Sequence, residues 1–370
     1  MKKILLVTRP ICPPWDEASK NFAYYLSQNI KDFEIHILTS ETLPEFPSNV
    51  VQESIYSSGG FELSQKIRLI KYLRKNKDNF DIIHYLFTPT KLNSFLIKTF
   101  AKSKTKTIQT VATLREDLYS NDDLKKILFA DSIITYSNYS KRKLENLGFG
   151  GVKTIYPGID LNLYSPAPKD FELMQKFGIK PDDFVITYHG EYTRLGGTDK
   201  LIDSIIKHTE TLKDNKIKIF LSCRVKNDED KKKKEETARI IKEKGLEGHV
   251  ITQENHYTTM EKIYNLADVV IFPVENMKGK FDVPLVVIEA MACGKPVIIS
   301  DLPVLKEFAN EENSVTIETG NMDQLFEKIL DIKENKSKYE EIGQNAKRFV
   351  EENFDIKKVA EKYSEIYKNL

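Results

Sequence analysis

Residues 281–300 have the sequence FDVPLVVIEAMACGKPVIIS, in which a single acidic residue, Glu289, stands among apolar side chains. Three signals predict a short helix here: Asp282 as the N-cap, Pro284 in the first turn, and Gly294 after the last apolar residue. The apolar stretches DVVIFPV and PVIIS on either side predict buried strands. We therefore predict a helix buried between two strands of a sheet.

The isolated carboxylate of Glu289 has two interpretations. The start of a helix offers N–H groups and the positive end of a dipole, which suit a phosphate. Glu289 lies seven residues beyond Asp282, roughly 10 Å along the axis at about 1.5 Å per residue, and its carboxylate can accept hydrogen bonds from two hydroxyl groups. These features together match a nucleotide sugar. The alternative is a structural glutamate paired with a lysine such as Lys295.

Strand and helix signals alternate along the whole chain. Predicted strands such as KILLVT, FEIHILT and DIIHYLF alternate with helical stretches, and FVITYHG begins a second series. This alternation predicts βα units with parallel, doubly covered sheets. A segment rich in Pro, Gly and Asp near residues 163–170 separates the two series. We predict an α/β protein with two doubly wound Rossmann-like domains facing across a cleft, with ligands at the carboxyl ends of the strands.

Composition narrows the class of protein. Of 370 residues, 40% are hydrophobic and 30% charged, which is typical of a soluble globular protein. No apolar run approaches the roughly 20 residues that span a bilayer, and MKKILLVTRP at the start predicts a buried strand rather than a signal peptide. The three cysteines are far apart, which indicates reduced thiols and a cytoplasmic protein. Neither they nor the six histidines have the spacing of a metal site.

The segment PLVVIEAMACGKPVIIS resembles the donor site of retaining glycosyltransferases of family four, which have the GT-B fold. Other pieces follow in that family's order: DSIITYSNYSKRKLENLG, then YHGEYTRLGGTDKLIDSI, and finally the closing helices in KRFVEENFDIKKVAEKYSEIYKNL. The resemblance implies an N-terminal acceptor-side domain of residues 1–165, completed by a C-terminal helix of about residues 355–370. It also implies a nucleotide-sugar donor domain of residues 166–354.

The resemblance assigns roles at the donor helix. Glu289 matches the second glutamate of the family's Glu-x7-Glu motif, which holds the ribose of the donor. The first glutamate falls at Phe281 and is absent, so Asp282 is expected to act on the sugar hydroxyls as a catalytic residue. Backbone N–H groups at the start of the helix are expected to face the phosphates and the sugar. The expected donor-binding positions with backbone roles are Gly190, Val283, Pro284, Leu285 and Val286.

Two basic residues of the family's donor site are missing from this chain. Where the family often has Gly-Arg after the first strand of the second domain, this sequence has Gly190-Glu191, and the lysine before the next helix is also absent. We expect Arg194, Arg224 and Lys226 to replace them at the donor diphosphate, because a guanidinium binds phosphate through two hydrogen bonds. The alternative for each arginine is a solvated side chain.

Two loops of the first domain depart from the family as well. Arg115 stands where the family often has a histidine near the reacting sugar. An arginine cannot act as a base, but it can stabilise charge on the leaving phosphate; the alternative is an ion pair with one of the two acids that follow it. Trp15, Asp16 and Glu17 stand where the family often has Gly-Gly, and we expect them on the acceptor side, with N-capping as the alternative for Asp16.

Together these features predict a retaining hexosyltransferase that moves a sugar from a nucleotide-diphosphate sugar to a sugar or lipid-linked sugar acceptor in surface glycan synthesis. We expect no cofactor, no metal and no nucleic acid partner. Two alternatives remain open. One is a nucleotide-sugar-binding protein with a decayed catalytic site, because the basic pair and the first glutamate are missing. The other is a nucleotide-sugar epimerase.

Residues 62–77 have the sequence ELSQKIRLIKYLRKNK, with six basic residues and one acid. Leu63, Ile67, Ile70 and Leu73 recur at helical spacing and predict a basic amphipathic helix. In one account, the apolar stripe packs on the first sheet while the lysines are solvated. Alternatively, the basic face binds an anionic membrane surface. The second account predicts a cytoplasmic protein that is peripheral on the inner face of the cytoplasmic membrane.

Overall fold

The computed structural model describes residues 1–13, 15, 17–101, 104–254 and 259–370. The chain forms two compact units, here called unit 1 and unit 2. Unit 1 comprises Met1–Asp160, Gly279–Val283 and Asn353–Leu370, and unit 2 comprises Leu161–Lys278 and Pro284–Glu352. Gly279–Val283, which was predicted to belong to the donor domain, lies in unit 1.

In the described part of unit 1, seven strands form one parallel sheet in the order β3-β2-β1-β4-β5-β6-β7. The strands are β1 (Lys3–Ile11), β2 (Glu34–Thr39), β3 (Val50–Ser54), β4 (Ile82–Tyr85), β5 (Lys106–Val111), β6 (Ser132–Thr135) and β7 (Lys153–Thr154). The continuous apolar run of β1 is buried because helices cover both faces of such a sheet.

Helices connect the strands of unit 1, and one more helix joins it from the C-terminus. They are α1 (Ala18–Asn29), α2 (Leu63–Asn76), α3 (Lys91–Phe100), α4 (Asn121–Ile127), α5 (Asn138–Asn146) and α14 (Ile356–Lys368). A single 3-10 turn, Lys77–Asn79, follows α2.

A buried polar network fixes α14 to unit 1. The ring of His84, on β4, bonds through Nδ1 to the hydroxyl of Tyr367 at 2.6 Å and through Nε2 to that of Thr110 at 2.7 Å. The hydroxyl of Tyr363 lies 3.2 Å from that of Thr110. Burial lowers the pKa of His84 to about 3, so the ring is neutral at physiological pH. His84 therefore has a structural role.

In the described part of unit 2, six parallel strands have the order β10-β9-β8-β11-β12-β13. They are β8 (Phe184–Glu191), β9 (Ile217–Arg224), β10 (Val250–Glu254), β11 (Val269–Phe272), β12 (Val297–Ser300) and β13 (Val315–Ile317). Both units are doubly wound α/β structures, as predicted.

Eight helices lie in the described part of unit 2 or at its end. They are α6 (Phe171–Lys176), α7 (Gly197–Lys207), α8 (Thr209–Asp214), α9 (Asp228–Glu243), α10 (Met260–Leu266), α11 (Leu285–Ala292), α12 (Met322–Glu334) and α13 (Lys336–Asn353). One apolar cluster joins β8, β9 and β11 to α7 and α12 through residues such as Ile186, Ile219, Leu201 and Leu325. This packed core thus fixes the positions of the ends of these strands.

Candidate active site

The predicted helix within residues 281–300 is α11, but it begins later than expected. Its N-cap is Pro284, which has an extended backbone, and Leu285 is its first residue. Asp282 is therefore not the N-cap, and Pro284 precedes the first turn. Proline has no N–H group, so Pro284 contributes no donor to an anion at this end. Gly294 follows the helix with φ +70°, a conformation that suits glycine.

Asp282 makes its hydrogen bonds within unit 1, which explains why its prediction as the N-cap of α11 was wrong. Its carboxylate accepts hydrogen bonds from the hydroxyls of Ser137, the N-cap of α5, and Ser140. Its backbone N–H donates to the carbonyl of Ala112 at 2.9 Å. The residue is 7% exposed. Sugar hydroxyls would therefore have to compete with two serine hydroxyls for hydrogen bonds to the carboxylate of Asp282.

Glu289 lies in the middle of α11 and is half-buried. Its Oε2 accepts a hydrogen bond of 2.7 Å from the hydroxyl of Tyr264, on α10. Lys295, the partner considered in the alternative interpretation, donates instead to the carbonyl oxygen of Asn265 at 3.1 Å. Burial, with a further contribution from Glu289, raises the pKa of Tyr264 well above its usual value, so the phenol remains a donor. Tyr264 thus orients the Glu289 carboxylate.

Removing this one hydrogen bond gives a specific prediction. Tyr264→Phe leaves the buried ring in place and deletes a bond to a charged acceptor, worth about 1.5–3 kcal/mol. We expect affinity for a nucleotide ligand to fall by roughly tenfold or more, with a smaller loss for a 2′,3′-dideoxy analogue. Calorimetric titration of both ligands measures this. An equal loss for the two ligands would show that Tyr264 does not act through hydroxyl recognition.

The three predicted phosphate-binding residues lie together around one carboxylate. Glu191 ends β8, and its side chain is only 4% exposed. Arg194 donates from Nε and Nη2 to its two carboxylate oxygens. Arg224 Nη2 lies 3.8 Å and Lys226 Nζ 3.6 Å from Glu191 Oε1. Three cations thus surround the carboxylate of Glu191, and with the neighbouring carboxylate of Asp230 included, one positive charge is in excess.

The backbone explains why these side chains meet. In the parallel pairing of β8 with β9, Glu191 lies opposite Arg224, so both strands end at the same edge. The next loop is fixed to the start of α9, because Asp230 accepts from the hydroxyl of Thr193 at 2.7 Å and from the N–H of Lys226 at 3.0 Å. The ends of β8 and β9 and the start of α9 thus fix the positions of the residues in this cluster.

Electrostatics within this cluster favour an anionic ligand. Burial lowers the pKa of Lys226, and the neighbouring Arg224 lowers it further, while Glu191 opposes the change. Crowded cations repel one another, so an incoming phosphate relieves that repulsion. The three cations were predicted from the sequence, but the position of Glu191 between them was not. The signal for it was the departure from Gly-Arg to Gly190-Glu191.

Gly190 has a packing role that the sequence did not indicate. A Cβ atom there would lie 2.2 Å from the ring of Tyr188, whose hydroxyl is 2.9 Å from that of Thr198 on α7. Gly197 lies close to the backbone of Pro273, since a Cβ atom at Gly197 would lie 2.4 Å from the carbonyl oxygen of Pro273. Glycine at these positions lets the first turn of α7 approach the strands.

In unit 1, Arg115 pairs with the second of the two acids that follow it. Its Nε and Nη2 each donate to one carboxylate oxygen of Asp117 at 2.9 Å, and this pairing raises the pKa of Arg115. The backbone of Arg115 has φ +52°, which is unusual for a residue other than glycine. Such strained positions persist where the surroundings impose them, and they are common at functional sites.

The expected acceptor-side residues are only partly described. Trp15 is 40% exposed, and its ring lies 4.5 Å from that of Tyr24. Glu17 accepts a hydrogen bond from Arg9 and holds the N-cap position of α1 without capping it through its side chain. Asp16 lies outside the described residues.

Among the residues with described positions, no group of three or more His, Cys, Asp or Glu side chains could hold a metal ion. Over the same residues, no helix is both long and apolar enough to cross a membrane.

One segment that contains both α11 and the cation cluster is similar to a known protein family. Residues 169–349 match the family model described as "Glycosyl transferases group 1". This segment is similar to group 1 glycosyltransferase domains. It includes Glu191, Arg194, Arg224, Lys226 and Glu289. The predicted relationship to group 1 glycosyltransferases is thereby confirmed. No curated protein matches the chain in sequence.

Several solved structures share the fold of the whole chain. Anabaena Alr3699/HepE, solved in complex with UDP and glucose, is 19% identical over 100% of both chains, with a TM-score of 0.77. Sucrose-phosphate synthase from Thermosynechococcus elongatus is 16% identical over 100% of this chain and 99% of its own, with a TM-score of 0.80. A glycosyltransferase from Rickettsia africae is 17% identical over 100% and 98%, with a TM-score of 0.73. These similarities confirm the predicted fold class.

Proposed function

We propose that the protein is a retaining glycosyltransferase that moves a hexosyl group from a nucleotide-diphosphate sugar to a sugar or lipid-linked sugar acceptor in surface glycan synthesis. The observation that carries this proposal is the convergence of Arg194, Arg224 and Lys226 on Glu191 within the segment that is similar to group 1 glycosyltransferase domains. A cluster with an excess of positive charge, at the carboxyl edge of a doubly wound sheet, suits a diphosphate.

In this proposal, different residues bind different parts of the donor. The cation cluster binds the diphosphate, and the N–H groups of Leu285 and Val286 at the start of α11 add the positive end of a helix dipole. Glu289, oriented by Tyr264, accepts hydrogen bonds from ribose hydroxyls. These contacts hold the donor by both its charge and its hydroxyl groups.

In the reaction, the bond between the anomeric carbon and the diphosphate oxygen breaks, and the acceptor oxygen bonds to the same face of that carbon. The acceptor proton passes to an oxygen of the leaving diphosphate, so no protein base is required. Negative charge grows on the diphosphate as the bond breaks, and the fixed cations stabilise it electrostatically. The proposal requires no metal ion or cofactor.

Nucleotide binding is the first test of this function. A thermal-shift screen with UDP, GDP, ADP and their sugars should raise the melting temperature with one nucleotide series. A ligand at 100 times its dissociation constant stabilises a protein by about 2.7 kcal/mol, which such a screen detects. No shift with any nucleoside diphosphate or nucleotide sugar would contradict the proposal.

A nucleotide-sugar-binding protein without catalytic activity is the second candidate. The occupation of the Arg194 guanidinium by Glu191 favours it, as does the use of Asp282 by two serine hydroxyls. Such a protein would bind a nucleotide sugar in the thermal screen but would not consume it. Consumption of the donor therefore separates the two candidates.

Arg115→Ala is expected to lower turnover by about tenfold to a hundredfold, with little change in donor affinity. The reason is that Arg115 is proposed to stabilise charge that develops on the leaving phosphate only as the bond breaks. Steady-state kinetics give kcat, and calorimetric titration gives the dissociation constant of the donor. A loss confined to the Michaelis constant would refute this role.

A further inference from the structure

Exposed apolar side chains are concentrated on two neighbouring helices of unit 1. Among the described residues, twelve large hydrophobic side chains are exposed, and five of them lie on α2 and α3. Leu63 is 62% exposed and Ile67 47% on α2, while Leu92 is 48% and Phe95 60% exposed on α3, with Phe100 at its end. Contiguous exposed apolar patches commonly mark interaction sites.

These residues lie on the outer faces of their helices. Leu69 and Leu73 of α2 and Ile97 of α3 belong to one core cluster with side chains of the unit 1 sheet. At about 100° per residue, Ile67 lies about 160° from Leu69 around the helix. The predicted apolar stripe of α2 is therefore split: Leu73 packs inward as expected, whereas Leu63 and Ile67 point outward.

The two exposed pairs also lie at the same end of unit 1. Leu63 and Ile67 occupy the first two turns of α2, and Leu92 and Phe95 the first two turns of α3. The helices follow β3 and β4, strands of one parallel sheet, and pack on the same face of it. Both helices therefore begin at the carboxyl edge of that sheet, and their exposed pairs lie on neighbouring faces.

The charge around these side chains is strongly positive. The sequences of α2 and α3 contain seven basic residues and no acid. Acids near the two helices include Glu62, which precedes α2, Glu53, which contacts Tyr72 of α2, Asp78 after α2, and Asp123, which forms an ion pair of 2.9 Å with Lys91. We call the outward residues the α2–α3 surface. It comprises Leu63, Ile67, Arg68, Lys71, Arg74, Leu92, Phe95 and Lys98.

We propose that the α2–α3 surface binds an anionic lipid bilayer. A bilayer interface offers acyl chains to the four apolar side chains and anionic headgroups to the cations between them. Nucleic acid would match the cations alone and would leave the apolar side chains in water. This inference extends the membrane contact expected from residues 62–77 to a second helix, and it does not depend on the donor site.

Cosedimentation with vesicles tests the proposal, in the absence of any nucleotide. The full chain is mixed with vesicles of equal parts phosphatidylglycerol and phosphatidylcholine, or of phosphatidylcholine alone. We expect binding to the anionic vesicles at low salt, weaker binding at high salt, and little binding to the neutral ones. Failure to bind anionic vesicles at low salt would overturn the proposal, as would equal binding to both vesicle types.

Substitutions distinguish vesicle binding through this surface from nonspecific adsorption of the protein. The pair Leu92→Ser and Phe95→Ser should lower the vesicle partition coefficient by about tenfold, because it removes the inserted side chains. Phe171→Ser is the matched control, since Phe171 is 67% exposed but lies in unit 2. Circular dichroism checks that each variant is folded. Equal losses in the double variant and the control would overturn the assignment.

Charge reversal provides an independent test. Lys71→Glu with Arg74→Glu should lower binding to anionic vesicles by about tenfold at low salt. Lys231→Glu with Lys232→Glu, on exposed positions of α9, makes the same change in net charge and should have a small effect. If both pairs lose binding equally, net charge rather than this surface is responsible. Displacement by duplex DNA at low concentration would favour a nucleic acid partner and overturn the proposal.

Discussion

Glu289→Ala abolishes sugar transfer and weakens donor binding while the protein remains folded. The carboxylate is expected to accept two hydrogen bonds from ribose hydroxyls, each worth about 1.5–3 kcal/mol, so donor affinity should fall by roughly a hundredfold or more. The side chain is half-buried on α11 and already oriented by Tyr264. Calorimetric titration with the nucleotide found in the thermal screen measures the loss.

Glu261→Ala is the matched control for this experiment. Glu261 is also half-buried and lies in the first turn of α10, the helix that carries Tyr264. It is expected to keep donor affinity within about twofold, because no role in binding is proposed for it. Near-normal affinity in Glu289→Ala would show that Glu289 is a structural residue, and equal losses in both variants would indicate a general loosening of these helices.

Arg194→Ala and Arg224→Ala each lower affinity for a nucleoside diphosphate by about tenfold to a hundredfold and leave affinity for the nucleoside nearly unchanged. A hydrogen bond to a charged group contributes about 1.5–3 kcal/mol, and the nucleoside lacks the charge that these residues bind. The control is Arg239→Ala, which removes an exposed arginine of α9 that lies 3.8 Å from Glu243. Equal losses for diphosphate and nucleoside would refute the phosphate assignment.

The two arginines should not act independently, because they share one partner. Both lie within 4.0 Å of Glu191, so removal of either changes the field that the other experiences. We expect the double variant to lose less affinity than the sum of the single losses, as is usual for residues in one charged network. Additive losses would show that the arginines bind separate groups.

The sequence predicted the fold well because its signals were local and repeated. Continuous apolar runs such as that of β1 are typical of a parallel strand covered on both faces, and their alternation with amphipathic stretches indicated a single fold class. The helix around Glu289 was predicted for the same reason. Its C-terminal limit at Gly294 was right because a positive φ favours glycine wherever it occurs.

Errors arose where tertiary contacts overrode a local preference. Asp282 has the residue type of an N-cap, but two serine hydroxyls of unit 1 donate hydrogen bonds to its carboxylate instead, and the helix starts after Pro284. The apolar stripe of α2 was predicted from spacing alone, and spacing cannot show that its first two turns face solvent. The change to Gly190-Glu191 was visible in the sequence, but the contact of Arg224 with Glu191 depends on the register of β8 and β9, which local signals do not show.

The most direct test of the account follows the fate of a nucleotide sugar. The protein is incubated with the donor found in the thermal screen, without an acceptor, and the reaction is followed by proton NMR and mass spectrometry. We predict slow release of nucleoside diphosphate together with free sugar that first appears in the anomeric form of the donor. A bound donor that is never consumed would indicate a binding protein, and a donor of unchanged mass but altered sugar configuration would indicate an epimerase; either result would contradict glycosyl transfer with retention.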